Sequence, residues 1–510
     1  MEKTLQDFYF KTYVYDNVTN YGTRNLQEVI PENVEELQEI VSIAIRDKSR
    51  VYPVSTGFNW GMGSKIPVDR KSIVINLSKL NKIVEYDEVN GVVVLEPGVT
   101  QEQLSNFLKQ KKSPFYLDVT GSSKETSVVG NTLERGISYN SLRVESVMGL
   151  EVLTGKGDII KTGNWRLENS KTKHSYKYGV GADLTGIFFQ SNFGIVTKMA
   201  FKLKRFQEAY YSVQLKFKSV EDISNSLEAY AELFEEGTIN SIFHIANTER
   251  AQGAVVPFMR KVLKENDCAH DEERAKRLFM KVINSPWVAS GIICGNRDEA
   301  KYKVKRLKRK LKKYAKVEIM DVKFIERVFK ILSPFKKLGL YNVLLGTKPF
   351  RFLYFGEATN AALGSVLNHD TFLKHEKLAE MVDGAEKGFS YCLPITDLSK
   401  DSCLEMVDIV NSTAKEFSLD PSITLNPLLP NVLEAVVSVE YPRDNSQKAR
   451  ECIRVMQERL NAKGHYSYRT NIKDMDLYFP DKTYTDYLKE VKKAFDPDSL
   501  ISPGRYLPEV

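Results

Sequence analysis

Strand–helix–strand units recur through the middle of the chain, and this repetition constrains the fold more than any other feature of the sequence. The predicted units are strand 210–217, helix 220–234 and strand 239–245; strand 287–294, the helix that begins at Asn296 and strand 317–320; and strand 433–440, helix 445–462 and strand 466–469. Units of this kind bury one face of a sheet beneath helices. We therefore predict an antiparallel sheet covered by helices, similar to doubled ferredoxin-like halves.

The first part of the chain is also α+β, but its strands are less regular. Apolar residues at Val34, Leu37 and Val41 have helical spacing. Asn90-Gly91 separates two short apolar runs and predicts a hairpin. With 510 residues, of which 42% are hydrophobic and 27% charged, the chain has the composition of a folded protein of two to four domains.

The sequence contains no feature that predicts a membrane or secretion. No run of 18 apolar residues occurs, and the first residues contain no apolar segment of the kind found in signal peptides. The five cysteines, at 268, 294, 392, 403 and 452, are odd in number and form no CxxC pair. We expect a cytoplasmic protein with free thiols, no structural metal and no membrane partner.

One helix is strongly basic. Residues 301–316 contain ten Lys or Arg, although the net charge of the whole chain is a mild +7. The helix could bind nucleic acid or a membrane surface, or it could be a solvated helix whose buried stripe is Val304, Leu307, Leu311 and Tyr314. We favour the second interpretation because the stripe explains the helix without a partner, and we expect no nucleic-acid binding.

Three segments rich in Gly, Ser and Asn indicate a ligand. They are residues 55–64, which follow a short strand, residues 121–136, and residues 190–198. Glycine lets the backbone approach an anion, and exposed N–H groups can hold a pyrophosphate. The first segment is neither a Walker loop nor a G-x-G-x-x-G fingerprint, so alone it is weak. Together the three segments could line one long ligand.

These segments, in this order, resemble the flavoproteins of the vanillyl-alcohol oxidase and p-cresol methylhydroxylase family. The matching segments are PVSTGFNWG at 53–61, EPGVT at 96–100, GNTLERG at 130–136, YGVG at 178–181, SNFGIVT at 191–197, YRT at 468–470 and DPDSLISPGR at 496–505. The match spans most of the chain.

The resemblance implies an FAD-binding domain made of two chain segments, 1–208 and 467–510, with a substrate or cap domain inserted at 209–466. It also adds the expectation of a homodimer. The residues that it assigns to FAD are Pro53, Ser55, Thr56, Gly57, Phe58, Asn59, Trp60, Gly61, Gly121, Gly130, Asn131, Glu134, Arg135, Gly194, Ile195, Val196 and Arg505.

The sequence departs from the family where some members bond FAD covalently. The His-linked members have a histidine five residues before a proline, and here Phe389 holds that position before Pro394. A phenylalanine cannot act as a nucleophile toward the flavin. Tyr391 and Cys392 are nearby, but we interpret them as ordinary strand residues. We therefore expect noncovalent FAD.

The predicted substrate site keeps part of the family pattern. Tyr468 and Arg469 match the Tyr-Arg pair that binds a phenolate in the family, and Arg is suited to a bound oxygen anion. Met62 replaces a second tyrosine. Gly121 stands where the family has an acid–base aspartate.

Other residues complete the predicted site. Tyr139 is our candidate catalytic residue in place of the missing aspartate, and Met62, Phe389 and Tyr391 are predicted to line the substrate pocket. His465 is a second acid–base candidate, although we favour a surface histidine at a strand edge.

Two functions follow from this pattern. The first is an FAD-dependent oxidoreductase that transfers hydride from a small phenolic or hydroxylated substrate to flavin N5, with O2 or an electron carrier as the acceptor. The alternative is an FAD-binding protein on the same scaffold with a non-redox function, which the two lost side chains favour. We prefer the oxidoreductase because the retained Tyr468-Arg469 pair serves no purpose in FAD binding alone.

Overall fold

The structure is a computed structural model that describes residues 3–367 and 369–508. Its first sheet has four strands, in the order β1-β2-β4-β3, and one helix packs on it. Asn33 caps this helix by accepting from the Glu36 N–H at 2.8 Å, and Leu37 and Ile40 are buried beneath it. These elements are β1 (Phe10–Tyr15), β2 (Arg24–Val29), α1 (Val34–Arg46), β3 (Val51–Val54) and β4 (Ile73–Asn76).

The second sheet has five antiparallel strands in the order β5-β6-β10-β8-β9, and a two-stranded ribbon, β7-β11, lies beside it. The first and second sheets meet where Leu153 and Ile195 pack beside α1. The elements are β5 (Ile83–Asp87), β6 (Val92–Leu95), α2 (Gln101–Gln110), β7 (Phe115–Tyr116), α3 (Val128–Leu133), β8 (Val147–Thr154), β9 (Ile159–Lys161), β10 (Gly194–Lys202) and β11 (Lys204–Arg205).

The third sheet has eight strands, in the order β15-β12-β14-β13-β18-β19-β16 with β17 also paired to β19, and every pair is antiparallel. The elements of this part are β12 (Ala209–Phe217), α4 (Val220–Glu235), β13 (His244–Asn247), α5 (Thr248–Glu265), α6 (Glu272–Val282), β14 (Trp287–Gly295), α7 (Arg297–Leu311), β15 (Lys316–Asp321), α8 (Val322–Leu332), α9 (Gly339–Phe352), α10 (His369–Lys374), α11 (Leu378–Met381), β16 (Lys387–Cys392), β17 (Ile395–Asp397), α12 (Lys400–Glu416), β18 (Pro421–Leu429), β19 (Val432–Pro442) and α13 (Ser446–Ala462).

The two faces of this third sheet differ because side chains alternate along each strand. On one face, apolar side chains such as Leu215, Leu425 and Val437 form a core beneath α4, α7, α12 and α13. On the other face, polar side chains including Gln214, Ser290, Asn426, Glu434 and Ser438 border a cavity. The sheet therefore supplies one wall of the candidate site.

The C-terminal segment returns to the first sheet. After α14 (Lys482–Phe495), Ile501 forms a parallel bridge with Val51, and the Ser502 N–H donates to the Val51 carbonyl at 2.7 Å. The buried Lys492 ammonium holds this turn through Asp496 Oδ2 at 2.6 Å and the Ile501 carbonyl at 2.8 Å. This return brings Arg505 to the same region as the Ser55 loop.

The predicted fold class, α+β with an antiparallel sheet covered by helices, is confirmed. Some local predictions need correction. Residues 466–469 form no strand, and Ser467 makes one isolated bridge with Pro394. The strand predicted at 239–245 begins at His244. The domain boundaries at 208 and 466 remain predictions, although every strand of the third sheet lies between them.

The basic helix α7 has part of the predicted buried stripe. Leu307 and Leu311 are fully buried and Val304 is partly buried, but α7 ends at Leu311, so the partly buried Tyr314 lies beyond it and residue 316 belongs to β15. Its Arg306 pairs with Glu236, at 2.9 Å, next to the C-terminus of α4, and Lys310 pairs with Glu232 of that helix.

Within residues 3–367 and 369–508, no helix has the length and apolar character needed to cross a membrane. All five cysteines are unpaired.

Candidate functional site

A cavity of about 890 Å³ lies between the two N-terminal sheets and the polar face of the third sheet. This volume is within the range of cofactor and small-molecule sites. All the residues that the sequence predicted for FAD, substrate and catalysis line it, with the exception of Gly61 and Arg135. Arg135 is exposed. A Cβ on Gly61 would collide with the rings of Tyr391 and Phe389, so Gly61 lets this loop pack closely against β16.

The Ser55 loop and the start of α3 form one polar wall of the cavity. Ser127 caps α3 by accepting from the Gly130 N–H at 2.8 Å, and its own N–H donates to Thr56 Oγ1 at 3.3 Å. A Cβ on Gly130 would overlap Ser55 Oγ, and Gly57 has a φ of +77°. Glycine is therefore required at these two points: at Gly130 it lets α3 pack against the Ser55 loop, and at Gly57 it allows the positive φ beside the Lys65 side chain.

The cavity also contains buried polar atoms that have no hydrogen-bond partner within the described part of the chain. They include Asn192 Oδ1, Arg505 Nη1 and Trp60 Nε1. Buried polar groups are almost always hydrogen-bonded, so a set of unpartnered atoms around one cavity indicates a polar ligand. A long molecule that carries a pyrophosphate and a polar ring system, such as FAD, fits these two donors and one acceptor.

Arg505, Glu134 and Tyr506 form a charged cluster at the C-terminal side of the cavity. Arg505 Nη2 bonds to both Glu134 oxygens, at 3.2 and 3.1 Å, and the Tyr506 hydroxyl also bonds to Glu134. Burial alone would raise the pKa of Glu134, but Arg505 and Arg469 hold this pKa below its usual value. The sequence predicted that Glu134 and Arg505 bind FAD, and the structure places them together on the cavity wall.

Tyr468 and Arg469 lie where the C-terminal segment meets the third sheet. Arg469 Nη2 donates to Asn59 Oδ1 at 2.8 Å, and Gln190 donates to the Tyr468 carbonyl at 2.8 Å. Burial lowers the pKa of Arg469, but Tyr468 and Glu134 outweigh this effect and raise it, so the guanidinium stays charged. Its Nε has no hydrogen-bond partner among residues 3–367 and 369–508, so a charged donor with an unused N–H lines the cavity.

A buried carboxyl group that the sequence analysis missed lies beside this pair. Glu434 of β19 is 0% exposed, and the Asn426 amide of the neighbouring strand donates to its Oε2 at 2.7 Å. His244 Nδ1 in turn donates to Asn426 Oδ1 at 2.8 Å. Burial raises the pKa of Glu434 to about 7, with Asn426, Tyr468 and Arg469 opposing this rise. The group can therefore change its protonation state near neutral pH.

The sequence did carry a signal for this residue. In strand 433–440, Glu434, Ser438 and Glu440 share one parity with Val436, and every residue of the other parity is apolar. Such alternation marks a strand with one polar face. His244 and Asn426 gave no comparable signal, because their proximity depends on pairing between β13 and β18.

Tyr139 lies next to Gly121, the position at which the resemblance expected an aspartate. A Cβ on Gly121 would be 3.1 Å from the Tyr139 hydroxyl. The Tyr139 ring also packs edge-on against His244, with centroids 4.7 Å apart, and against Tyr354 at 5.0 Å. Burial raises the pKa of Tyr139 to about 12, so its hydroxyl stays protonated and can serve as a donor.

Aromatic and apolar side chains also line the cavity, and two of them, Phe389 and Tyr391, are cross-strand neighbours of Glu440 and Ser438 on the third sheet. Phe389 and Tyr391 project from β16 with ring centroids 5.1 Å apart, and Phe58 stacks on Trp60 at 5.0 Å. Met62 is buried at the cavity edge.

His465 is separate from the cavity lining. It is 3% exposed rather than at the surface as expected, because its imidazole bonds to Thr396 and Glu405. Both ring nitrogens of the imidazole are bonded, one to Thr396 of β17 and the other to Glu405 of α12. We therefore assign His465 a structural role.

Comparisons with known proteins agree with this geometry. A family described as FAD binding domain matches residues 26–163. The chain is 26% identical to the 4-cresol dehydrogenase [hydroxylating] flavoprotein subunit of Pseudomonas putida, over 94% of this chain and 87% of that protein. It is 25% identical to 1'-carboxy-chondrochloren decarboxylase of Chondromyces crocatus, over 96% and 92% of the two chains.

Two solved structures have the same fold. One is p-cresol methylhydroxylase with substrate bound, with a TM-score of 0.78, 23% identity and coverage of 95% of this chain and 89% of that chain. The other is 4-ethylphenol oxidase from Gulosibacter chungangensis in complex with isoeugenol, with a TM-score of 0.81, 19% identity and coverage of 97% and 92%.

These findings define the class of protein. The chain contains an FAD-binding domain and has the fold of p-cresol methylhydroxylase, which confirms the resemblance seen in the sequence. It is a flavin-dependent oxidoreductase with FAD as its cofactor, and it acts on a small-molecule substrate and passes electrons to an acceptor.

Proposed function

We propose that this oxidoreductase takes a hydride from a carbon attached to a phenolic or similarly hydroxylated ring. The observation that carries the proposal is the meeting of Tyr468, Arg469 and Glu434 at one place on the cavity wall. Tyr468 and Arg469 are suited to bind an anion there. The carboxyl group of Glu434 lies beside them, and burial raises its pKa to about 7.

Arg469 and Tyr468 would bind the ring oxygen of the substrate. A phenol gives up hydride from its para-carbon substituent much more easily when its oxygen is deprotonated. A buried guanidinium and a tyrosine hydroxyl favour that oxygen anion by charge and by hydrogen bonding. The unpartnered Nε of Arg469 supports this role, since Asn59 uses only one of its N–H groups.

Glu434 would accept the phenolic proton. A carboxylate with a pKa near 7 is well matched to a general base at neutral pH. Bound FAD would supply the oxidising chemistry, namely the capacity to take up the hydride, which is the electron pair of the broken C–H bond with its proton. Glu434 would take the phenolic proton, so that the substrate would lose two electrons and two protons in all. The Tyr139 hydroxyl, protonated at neutral pH, would act as a hydrogen-bond donor in the same cavity.

The FAD would be held without a covalent bond. Phe389 lines the cavity at the position where the resemblance expects the linking histidine, and its ring packs against Tyr391. The residues assigned to FAD in the sequence would bind it through the Ser55 loop, the start of α3 and Arg505, which all line the cavity. The identity of the acceptor as O2 or an electron carrier, the homodimer and the cytoplasmic location remain predictions.

The relatives support this reaction type without deciding the substrate. One is named for 4-cresol and another for a carboxylated chondrochloren, and the similar solved structure is named for 4-ethylphenol. We infer a para-substituted phenol for this chain because Tyr468 and Arg469 retain the site for its oxygen.

Anaerobic flavin reduction tests the proposal. The yellow holoprotein is mixed with 4-methylphenol, 4-ethylphenol or 4-propylphenol, and bleaching of the oxidised flavin is followed in single turnover. We expect reduction by at least one of these phenols and none by the corresponding methoxybenzene, which cannot form an oxygen anion. Equal reduction by the phenol and its methyl ether would overturn the role of Tyr468 and Arg469.

A further inference from the structure

The cavity has a second cationic group, Arg250, at some distance from Arg469. Arg250 lies in the first turn of α5 and lines the cavity. Its Nη1 donates to Ser438 Oγ at 3.2 Å. Within residues 3–367 and 369–508, this is the one side-chain hydrogen bond of its guanidinium, and no carboxylate oxygen lies within 4.0 Å of it.

The position of Arg250 relative to the phenol site follows from β19. Ser438 is four residues beyond Glu434, and both side chains are on the cavity face of that strand. At about 3.3 Å per residue, their Cα atoms are separated by about 13 Å. One aromatic ring with a short alkyl side chain covers such a span. A substrate whose oxygen is at Arg469 would therefore extend toward Arg250.

The surroundings of Arg250 favour an anion. A half-buried guanidinium with most of its donors unused is unfavourable unless a ligand or a counter-ion pairs with it. Glu440 is the carboxyl group next along the cavity face of β19, and Arg250 lowers its pKa while burial raises it. Yet Glu440 is not within ion-pair distance of Arg250. The planar fork of an arginine matches the two oxygens of a carboxylate.

We propose that the substrate is a para-substituted phenol whose side chain ends in a carboxylate, and that Arg250 binds this carboxylate at the far end of the cavity from Arg469. The inference rests on the proposed function, since it assumes that the phenolic oxygen is held by Tyr468 and Arg469. It adds to that function a second anchor, which selects substrates by charge and by length.

The test compares a phenol acid with its neutral ester. FAD-loaded protein is reduced anaerobically by 3-(4-hydroxyphenyl)propionate, by its methyl ester and by 4-propylphenol. A hydrogen bond between charged groups raises kcat/KM by about 10- to 100-fold. We therefore expect the kcat/KM for the acid to exceed that for the ester by this factor. The Arg250→Met substitution should lower the kcat/KM for the acid to the value found for the ester.

Arg277→Met is the matched control, because it removes one positive charge from an exposed position of α6. It should keep the preference for the acid. FAD content and the flavin spectrum establish that each variant is folded. The proposal is overturned if the parent shows no preference for the acid, or if Arg250→Met keeps it. It is also overturned if Arg250→Met slows acid and ester alike, because Arg250 would then be a structural partner of Glu440.

A binding measurement separates failure of this inference from failure of the proposed function. 4-Hydroxycinnamate has no saturated side-chain carbon to oxidise, so its affinity and that of its methyl ester can be measured by calorimetry on the holoprotein. If no phenol reduces the flavin, the proposed function fails. In that case the Arg250 site is still supported if the parent binds the acid at least about 10-fold more tightly than the ester and the Arg250→Met variant does not. It is refuted if the parent shows no such difference.

Discussion

Replacing Glu434 with glutamine should make the protein more stable at high pH and less active. In the folded chain, burial raises the pKa of this carboxyl group from 4.5 to about 7. Above pH 4.5 the unfolded chain releases the proton while the folded chain retains it, so stability is lost as pH rises through this window. The glutamine side chain is neutral and can still accept from Asn426, so the variant avoids this loss.

The size of the effect follows from the pKa difference. A difference of one pKa unit corresponds to about 1.4 kcal/mol, so the Glu434→Gln variant should gain about 1 kcal/mol over the parent at pH 5.5 and about 3 kcal/mol at pH 8.5. Thermal unfolding of the holoprotein at the two pH values measures the trend. The melting temperature of the variant should exceed that of the parent, and the difference should be larger at pH 8.5.

Activity should move in the opposite direction. If Glu434 is the base, its loss should slow flavin reduction by a 4-alkylphenol by about 10²- to 10⁴-fold, and the parent's rise in rate near pH 7 should disappear. Glu405→Gln is the control, because Glu405 is an exposed carboxylate paired with Lys463 and His465. That variant should show neither effect. Unchanged stability at pH 8.5, together with an unchanged reduction rate, would refute both the buried charge and the catalytic role of Glu434.

Three further predictions concern FAD and the Tyr-Arg pair. Acid precipitation should release intact FAD into the supernatant, since Phe389 cannot form the covalent bond; a flavin that stays with the precipitate would point to Tyr391. Gly57→Asp should abolish FAD retention in gel filtration. Position 57 has a φ of +77°, a Cβ there would be 2.6 Å from Lys65 Cε, and the carboxylate would repel a pyrophosphate. Retained flavin would place the pyrophosphate elsewhere. Arg469→Ala should keep FAD but slow reduction about 10²- to 10³-fold, and Arg469→Lys should recover little; loss of FAD instead would assign Arg469 to the cofactor.

Some features could be predicted because they depend on residues close together in sequence. The stripe of α7, with Leu307 and Leu311, follows from helical spacing. The Gly-rich segments indicate points at which the backbone has no room for a side chain, and Gly57 and Gly130 are two such points. In strand 433–440 the alternation that places Glu434 on a polar face is present in the sequence, but the sequence does not show that this face lines a cavity.

Other features could not be predicted because they depend on strands that are far apart in the chain. The chain of hydrogen bonds from His244 through Asn426 to Glu434 exists because β13 pairs with β18 and β18 with β19. The burial that raises the pKa of Glu434 is produced by the whole sheet and by the C-terminal segment that packs over it. No local pattern contains this information.

The amino-acid sequence by itself determined the elements, the Gly-rich segments and the presence of Tyr468-Arg469, since local spacing and residue chemistry are enough for these. The tertiary structure alone decided that Arg469, Glu434 and Arg250 line one cavity, with Arg250 bonded to Ser438, four residues along β19 from Glu434. Long-range strand pairing sets those distances, and burial then sets the protonation of the groups. The chemistry of the site thus depends on side chains that are as much as 410 positions apart in the chain, as Asn59 and Arg469 are, and adjacent in the fold.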